Sequence, residues 1–304
     1  MNGVMVIDKP GGLTSHDVVN RVRRALQQKA VGHLGTLDPL ATGVLPLVVG
    51  NLTRLAQFYT ASEKVYEGVI RFGYATSTYD ADGDPAGPQQ QSQASLEEVR
   101  AMAACFRGVI EQVPPPFSAK KIRGVPAYKL ARKHKEVPLK PIQTEIKELE
   151  IPEFDGTRAS FRARVASGTY MRSVAHDMGQ QLGCGAHLES LRRTGLAEFE
   201  LADAHTLDDI DVAAQSGNVE ELFVHPRKLL PQFPSVSANE EMRSRIRSGR
   251  TVNLPELSRA KQVKVFFGQR ELIAIATRVA GTLFHPKIVL AVDAPAELAE
   301  QRNR

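Results

Sequence analysis

A single carboxylate, Asp38, stands in a segment that is rich in glycine and proline. The segment reads Gly32-His-Leu-Gly-Thr-Leu-Asp38-Pro-Leu-Ala-Thr-Gly43, and an apolar run follows over residues 44–49. Glycine adopts backbone angles that other residues avoid, and proline pushes the residue before it out of helical geometry. We therefore expect Asp38 on a stiff turn that an apolar strand anchors from behind. A carboxylate presented in this way can act as a nucleophile or as a general base.

A structural role for Asp38 is the alternative, because aspartate before proline often fills turns by bonding its own backbone. The rest of the sequence bears on this choice. Six further groups of residues have the composition of motifs: Asp8-Lys-Pro-Gly-Gly-Leu-Thr-Ser-His-Asp17; Lys64 and Tyr66; Thr76, Thr78, Asp80 and Gly83; Ser118-Ala-Lys120 with Ala127-Tyr-Lys-Leu-Ala-Arg132; Gly168-Thr-Tyr-Met-Arg172; and Gly183-Cys-Gly-Ala-His187 with Leu191-Arg-Arg193.

Taken in order along the chain, these groups and the Asp38 segment resemble the motifs of the TruB family of tRNA pseudouridine synthases. The resemblance covers residues 3–230 and weakens beyond them. It implies an isomerase that converts uridine 55 in the T-loop of tRNA to pseudouridine. Asp38 would begin the reaction, either by attacking the sugar or by removing its C2′ proton, and the sequence leaves both routes open.

The resemblance also implies roles for other residues around the target base. Arg172 would pair with Asp38, and a nearby cation favours an ionised carboxylate. Tyr66 would stack on the base near its C5 proton, Tyr170 would be a second pocket aromatic, and Leu191 would pack near the flipped base. His33 would insert into the RNA where the nucleotide leaves the stack. The substrate-binding set is completed by four basic residues: Lys64, Lys120, Lys129 and Arg132.

Each of these residues also has an ordinary structural interpretation. Isolated tyrosine and leucine residues are usually core, and Arg172 could belong to a surface ion pair that contributes little to stability. His33 could be a surface loop residue. The basic residues between 115 and 140 could form a solvated face, although basic and aromatic residues in one segment favour contact with phosphates.

The elements that must position these residues can be read from periodicity. The patterns predict strands near residues 3–8, 44–49, 64–73, 141–151, 158–167 and 186–201, and helices after Thr14 and near 52–59, 95–106, 126–134 and 170–182. The resemblance implies a mixed α/β catalytic domain with a largely antiparallel sheet over residues 1–232, carrying an RNA-gripping insertion at about 115–140. Three prolines between residues 226 and 234 predict a boundary. Residues 233–304 would form a small β-barrel of the PUA type that binds RNA.

Composition permits an RNA-binding protein and argues against a disulfide-stabilised or membrane-spanning one. The chain has 304 residues, a net charge of +5 and a pI of about 9.2, which permits a polyanionic partner. Two cysteines are too few for a disulfide framework, which favours a reducing cytoplasm, and no apolar run suits a membrane span. We expect no metal, because the aspartates at 80–84 lack the later residues of a calcium loop and Cys184 and His187 lack a second pair. We expect no cofactor, because the isomerisation oxidises nothing.

Two alternative functions remain at this point. One is a guide-RNA-dependent relative of the dyskerin type, which would need partner proteins. The other is an RNA-folding chaperone whose modification activity is secondary or lost. The compact layout without long basic tails argues against the guided relative, so we expect no obligatory protein partner. We also expect a monomer that acts on the T-arm, because one such chain can grip a tRNA. A folding role could coexist with catalysis.

Overall fold

A computed structural model describes residues 1–90, 92–118 and 139–290, together with the backbone of 121–122 and 125–126. Its helices are α1 (Ser15–Ala25), α2 (Leu96–Cys105), α3 (Met171–Gln181), α4 (Leu207–Ser216) and α5 (Glu240–Arg247). Its strands are β1 (Gly3–Lys9), β2 (Val31–His33), β3 (Thr42–Val49), β4 (Lys64–Phe72), β5 (Ala75–Thr76), β6 (Pro85–Ala86), β7 (Gly108–Gln112), β8 (Lys121–Ile122), β9 (Val125–Pro126), β10 (Ile142–Glu150), β11 (Arg158–Val165), β12 (Ala186–Leu196), β13 (Phe199–Glu200), β14 (Ala204–His205), β15 (Ser235–Ala238), β16 (Val252–Asn253), β17 (Gln262–Phe267), β18 (Glu271–Ala280) and β19 (Leu283–Val289).

The described residues form one large sheet with the order β14-β1-β3-β12-β4-β11-β10-β7, to which β2 and β13 add at the sides. Neighbouring strands in this part of the chain are antiparallel, apart from the pairs β1–β14 and β3–β12. This confirms the predicted mixed, largely antiparallel sheet. Central strand β12 lies between β3, which leaves the Asp38 segment, and β4, which carries Tyr66.

The local signals explain why the helices begin where they do. Thr14 caps α1 and exchanges hydrogen bonds with Asp17 in a capping box, which satisfies backbone N–H groups of the first turn. The predicted helix near 52–59 is instead a 3₁₀-helix, Gly50–Phe58, and the predicted helix at 126–134 lies outside the described residues. Helix α4, which the periodicity analysis did not predict, begins with a second capping box at Thr206.

The two faces of the large sheet are covered differently. Helices α1, α3 and α4 pack on one face over buried residues such as Ile7 and Ile70. On the other face, Val4 and Val48 join a second apolar cluster with Phe266 and Ile275. These last two residues belong to a curled five-stranded half-barrel of order β15-β17-β18-β19-β16. The C-terminal sheet therefore shares an apolar core with the large sheet.

A buried polar network lies in the same interface. The Tyr59 hydroxyl donates to the Glu198 carboxylate at 2.6 Å, and the Leu230 amide donates to the same oxygen at 2.8 Å. Lys264, on β17, is 2 % exposed and donates to the carbonyl oxygens of Arg227 and Leu229. Charged-group hydrogen bonds of this kind fix the orientation of the two sheets more specifically than apolar packing alone. No helix among the described residues has both the length and the apolarity that a membrane crossing requires.

Candidate active site

One cavity contains every predicted site residue that the structure describes. The cavity has a volume of about 410 Å³. Its lining includes the following predicted residues: His33, Asp38, Lys64, Tyr66, Tyr170, Arg172 and Leu191. The other three predicted residues, Lys120, Lys129 and Arg132, lie outside the described residues. The motifs that are separated along the chain thus meet around one space of the size that small ligands occupy.

A larger cavity of about 760 Å³ shares Leu191 but lacks Asp38. Two of its three acidic residues form ion pairs on the sheet surface, Glu67 with Arg162 at 3.2 Å and Glu189 with Arg158 at 2.7 Å. Partly exposed ion pairs of this kind are typical of a protein surface and do not raise the pKa of a carboxylate in the way that catalysis often requires. The smaller cavity is therefore the candidate site.

The turn that carries Asp38 is tied to the body of the protein by buried hydrogen bonds. Lys9 is fully buried, and its Nζ donates to the carbonyl oxygens of Pro39 at 3.2 Å and Ala41 at 2.7 Å. The Ser15 hydroxyl, at the start of α1, donates to the Leu37 carbonyl oxygen at 3.0 Å and accepts from the Leu37 amide at 2.8 Å. These contacts hold both sides of the turn, so Asp38 is presented from a fixed backbone.

Arg172 is the residue through which three segments of the chain converge at Asp38. Its side chain is 5 % exposed, and its Nε lies 2.9 Å from Oδ2 of Asp38. Nη1 donates to the Thr78 carbonyl oxygen at 3.2 Å and lies 3.4 Å from Oδ2 of Asp80, while Nη2 donates to the Phe117 carbonyl oxygen at 2.9 Å. A planar guanidinium can engage several partners at once, which an ammonium group cannot do in this geometry.

The electrostatics of Asp38 are set by opposing effects. Burial at the floor of the cavity raises the pKa of Asp38, and the nearby Asp80 charge adds to that rise. The charges of Arg172 and Lys9 act in the other direction. The side chain is still 36 % exposed through the mouth of the cavity, so a substrate can reach the carboxylate. A carboxylate that is poorly solvated but held beside a cation is suited to nucleophilic or basic chemistry.

Two aromatic residues lie around the carboxylate. Tyr66 is 6 % exposed, and burial raises the pKa of its hydroxyl while the Arg193 charge opposes that rise. Tyr170 immediately precedes α3 and is clamped by the buried Gln112 side chain, which accepts from its amide at 2.8 Å and donates to its carbonyl oxygen at 3.1 Å. Leu191, 8 % exposed, adds an apolar surface. Such a set can hold a planar ring by stacking and apolar contact.

Two titratable residues complete the cavity wall. Burial lowers the pKa of Lys64 to about 8, with the Arg193 charge contributing, and its Nζ donates to Ser62 and Ser167. Burial also lowers the pKa of His33, which lies at the end of β2. Its imidazole is therefore mainly neutral at pH 7.

Arg193 is a site residue to which the sequence analysis gave no role. It is fully buried on β12, opposite Tyr66 on β4 and Gly43 on β3. Its guanidinium donates to the Val44 carbonyl oxygen at 2.7 Å, on the C-terminal side of Asp38. It also donates to the carbonyl oxygens of Gly35 at 3.0 Å and Thr36 at 3.3 Å, on the N-terminal side. It therefore joins the two ends of the Asp38 segment. Lys9, Gln112 and Arg193 share one reason for being missed, since a buried charged or polar residue carries no periodic signal.

No group of three or more His, Cys, Asp or Glu residues in the described ranges has a geometry that could hold a metal ion. The site consists of a carboxylate, an arginine and aromatic side chains, a set suited to nucleophilic or basic chemistry beside a planar ring.

Comparison with known families agrees with this geometry. Residues 23–171 match the model for the N-terminal domain of the TruB family of pseudouridylate synthases, and residues 172–230 match the model for the C-terminal domain of tRNA pseudouridylate synthase B. A tRNA pseudouridine synthase B from Solibacter usitatus is 49 % identical over 95 % of this chain and 100 % of its own length. One from Opitutus terrae is 47 % identical over 69 % of this chain and 88 % of its own.

Solved structures show the same fold. The Nop10–Cbf5 complex of an archaeal box H/ACA sRNP contains a chain that is 25 % identical, with a TM-score of 0.68 and coverage of 95 % of this chain and 86 % of that one. An H/ACA RNP bound to a substrate RNA containing 2′-deoxyuridine has a TM-score of 0.70 at 23 % identity, over 95 % of this chain and 85 % of that one. With both family models and near-full-length relatives matched, the chain belongs to the TruB family of pseudouridine synthases, enzymes that isomerise uridine in RNA.

Proposed function

We propose that this enzyme converts uridine 55 in the T-loop of tRNA to pseudouridine, with Asp38 as the reacting carboxylate. One observation carries the proposal: Asp38 and Arg172 form an ion pair at the floor of a cavity that is walled by Tyr66, Tyr170 and Leu191. Relatives named tRNA pseudouridine synthase B that match most of the chain support tRNA as the substrate.

The reaction can be written with these groups. Asp38 either attacks C1′ or removes the C2′ proton, and the N1–C1′ bond breaks with its electron pair leaving on the base. The base turns within the cavity, and C5 bonds to C1′ as the carboxylate leaves or as the proton returns to C2′. The C5 proton is then lost and N1 gains one, so the change is an isomerisation. Tyr66, which lines the same cavity, would stack on the base close to the C5 proton.

The substrate must bring its uridine out of the folded T-loop to reach Asp38. Unstacking a nucleotide costs a few kcal/mol, and an inserted side chain offsets part of that. We infer that His33, which lines the same cavity, supplies this insertion, and that Lys64 contacts the substrate. Lys120, Lys129 and Arg132 would grip the T-arm from the insertion at about 115–140.

We further infer that residues 1–232 are the catalytic domain and residues 233–304 an RNA-binding domain of the PUA type. The separate curled sheet formed by β15 to β19 supports this division. We expect a monomer in the cytoplasm that needs no protein partner. The variant Asp38→Asn, which should still bind tRNA, tests whether the chain assists tRNA folding without catalysis.

A guide-RNA-dependent activity is the second candidate, because the structural neighbours are in H/ACA complexes with further components. Tritium release from C5-labelled uridine in an unmodified tRNA transcript separates the two. Stoichiometric release of one tritium by the protein alone, and none by Asp38→Asn, supports the stand-alone tRNA enzyme. Release only after a guide RNA and partner proteins are added would overturn it in favour of the guided enzyme.

A further inference from the structure

The short loop between β5 and β6 supplies two of the groups that hold Arg172. The Thr78 carbonyl oxygen accepts from Nη1 of Arg172 at 3.2 Å, and Oδ2 of Asp80 lies 3.4 Å from the same nitrogen. The Thr78 hydroxyl in turn donates to the Asp80 carboxylate. The geometry of this loop therefore determines where the guanidinium sits relative to Asp38.

Tyr79, between these two residues, has a backbone conformation that non-glycine residues rarely adopt. Its φ is +65°, in the left-handed region, which costs about 1 kcal/mol or more for a residue with a Cβ. Its backbone is bound to β12, because the Leu188 amide donates to the Tyr79 carbonyl oxygen at 3.0 Å. Something must hold the residue in this conformation, and strain of this kind concentrates at functional sites.

The Tyr79 side chain stacks on His176. The ring centroids are 3.7 Å apart and the ring planes differ by 9°. His176 lies on α3, one turn after Arg172, so the stack fastens the loop to the helix that carries the arginine. Burial lowers the pKa of His176, so the ring that stacks is mainly neutral at pH 7. Nδ1 of His176 is buried and has no hydrogen bond among the described residues. An apolar ring at this position would not carry the energetic cost of a buried, unpaired nitrogen.

We propose that Tyr79 and His176 are positioning residues for the uridine isomerisation. Their stack holds the Thr78 carbonyl oxygen and the Asp80 carboxylate against Arg172, and through Arg172 it fixes the surroundings of Asp38. The inference rests on the proposed function of Asp38 for its kinetic readout, but the arrangement of the charges can also be measured without RNA. The residue at 79 thus affects a reaction that its side chain does not touch.

The test compares variants that remove the stack with variants that keep a ring. His176→Ala and Tyr79→Gly remove it from either side, and glycine also tolerates the positive φ. Each should lower the single-turnover rate on a T-arm RNA by roughly 5- to 50-fold, with KM within about twofold, and the double variant should be no slower than either single one. Tyr79→Phe and His176→Phe should retain a rate close to that of the wild type.

A second readout is independent of catalysis. The charges that face Asp38 are Arg172, Asp80 and Lys9, so a displaced Arg172 should move the NMR titration of the Asp38 carboxyl to higher pH in His176→Ala. Asp177 also titrates near this loop, because burial raises its pKa to about 6, and Asp177→Asn identifies its signal.

Three results would overturn the proposal. One is an unchanged rate and an unchanged Asp38 titration in both stack-removing variants, which would make the stack a packing contact only. Another is a raised KM with an unchanged maximal rate, which would assign Tyr79 to RNA contact. The third is an inactive ring-keeping variant. If the wild-type protein itself released no tritium, the proposed function would fail, and the Asp38 titration would still decide whether the stack positions Arg172.

Discussion

Replacing Arg172 with methionine should move the loss of activity in acid to higher pH. Methionine keeps much of the side-chain volume but removes the charge that lies 2.9 Å from Asp38 and 3.4 Å from Asp80. Without the arginine, Asp38 and Asp80 both lose the cation that they contact, while the Asp80 charge continues to raise the pKa of Asp38. Both effects disfavour the ionised form of Asp38, so the pKa of Asp38 must rise further above its usual value.

The magnitude follows from the geometry. Two unit charges about 4 Å apart attract by about 4 kcal/mol under the screening typical of a protein surface. The Asp38 side chain is 36 % exposed, so we discount this to roughly 2 kcal/mol, which is about 30-fold in the ratio of ionised to protonated Asp38. The carbonyl oxygens of Thr78 and Phe117 also lose their donor. That loss should lower the free energy of unfolding by about 2–4 kcal/mol.

The assay is single-turnover tritium release measured from pH 5 to pH 9. Because Asp38 reacts as the carboxylate, activity is lost as the pH falls through its pKa, and a higher pKa moves that loss upward. The ratio of wild-type to variant rates should therefore be largest at low pH and should shrink as the pH rises. Any positioning defect adds a constant factor at every pH.

A matched control uses a second arginine–carboxylate pair. Arg158 lies 2.7 Å from Glu189 but does not line the site cavity, so Arg158→Met should leave the pH profile in place. The reasoning is refuted if Arg172→Met lowers the rate by the same factor at every pH. Arg172 would then position groups without stabilising the charge on Asp38.

Three further predictions concern stability and are checked by thermal unfolding. Asp38→Asn should be at least as stable as the wild type at pH 7, because the pKa of Asp38 is raised in the folded protein and its ionised form therefore lowers the free energy of unfolding at pH values above 3.8. The difference in stability should disappear as the pH falls toward 4. A large loss of stability at pH 7 would contradict this prediction. Gly43→Ala should lower the free energy of unfolding by more than about 3 kcal/mol, because φ is +97° there and a Cβ would overlap the Arg193 carbonyl oxygen. Gly12 is the control: its φ is +81° with open space around it, so Gly12→Ala should cost about 1 kcal/mol. Equal losses would exclude the overlap as the cause. Arg193→Lys should cost about 2–4 kcal/mol, since one ammonium group cannot reach all three carbonyl oxygens, and an unchanged midpoint would show that they find other donors.

Local signals predicted the elements that depend on local chemistry. Thr14 and Asp17 predicted the start of α1, and glycine and proline around Asp38 predicted a stiff turn whose anchoring strand is β3. Helix α4 was not predicted, although its start carries a comparable signal in Thr206 and Asp209, with Leu207, Ile210 and Ala213 at helical spacing. The sequence therefore contains enough information to predict a helix or a strand where a full capping box or a regular apolar pattern is present.

The buried residues that hold the Asp38 segment in place could not be predicted from the sequence in the same way. Lys9 and Arg193 are charged residues with no exposure, and each is satisfied by carbonyl oxygens that come from distant segments. A sequence pattern treats such residues as surface, because it contains no information on which carbonyl groups converge. The family resemblance placed Arg172 beside Asp38, but it did not indicate the stack at Tyr79 that borders the same arginine.

The shared core between the large sheet and the C-terminal sheet has a consequence for synthesis on the ribosome. The last strand of the large sheet ends at His205, whereas the apolar cover over Val4 and Val48 includes Ile288 near the end of β19. At about 5–20 residues per second, roughly 4–17 seconds separate the emergence of these two positions. During that interval an apolar face of the nascent sheet is open to water and to other chains. Binding by a chaperone before the C-terminus emerges would protect that face, and the chain should become independent of it only when its final strands have docked.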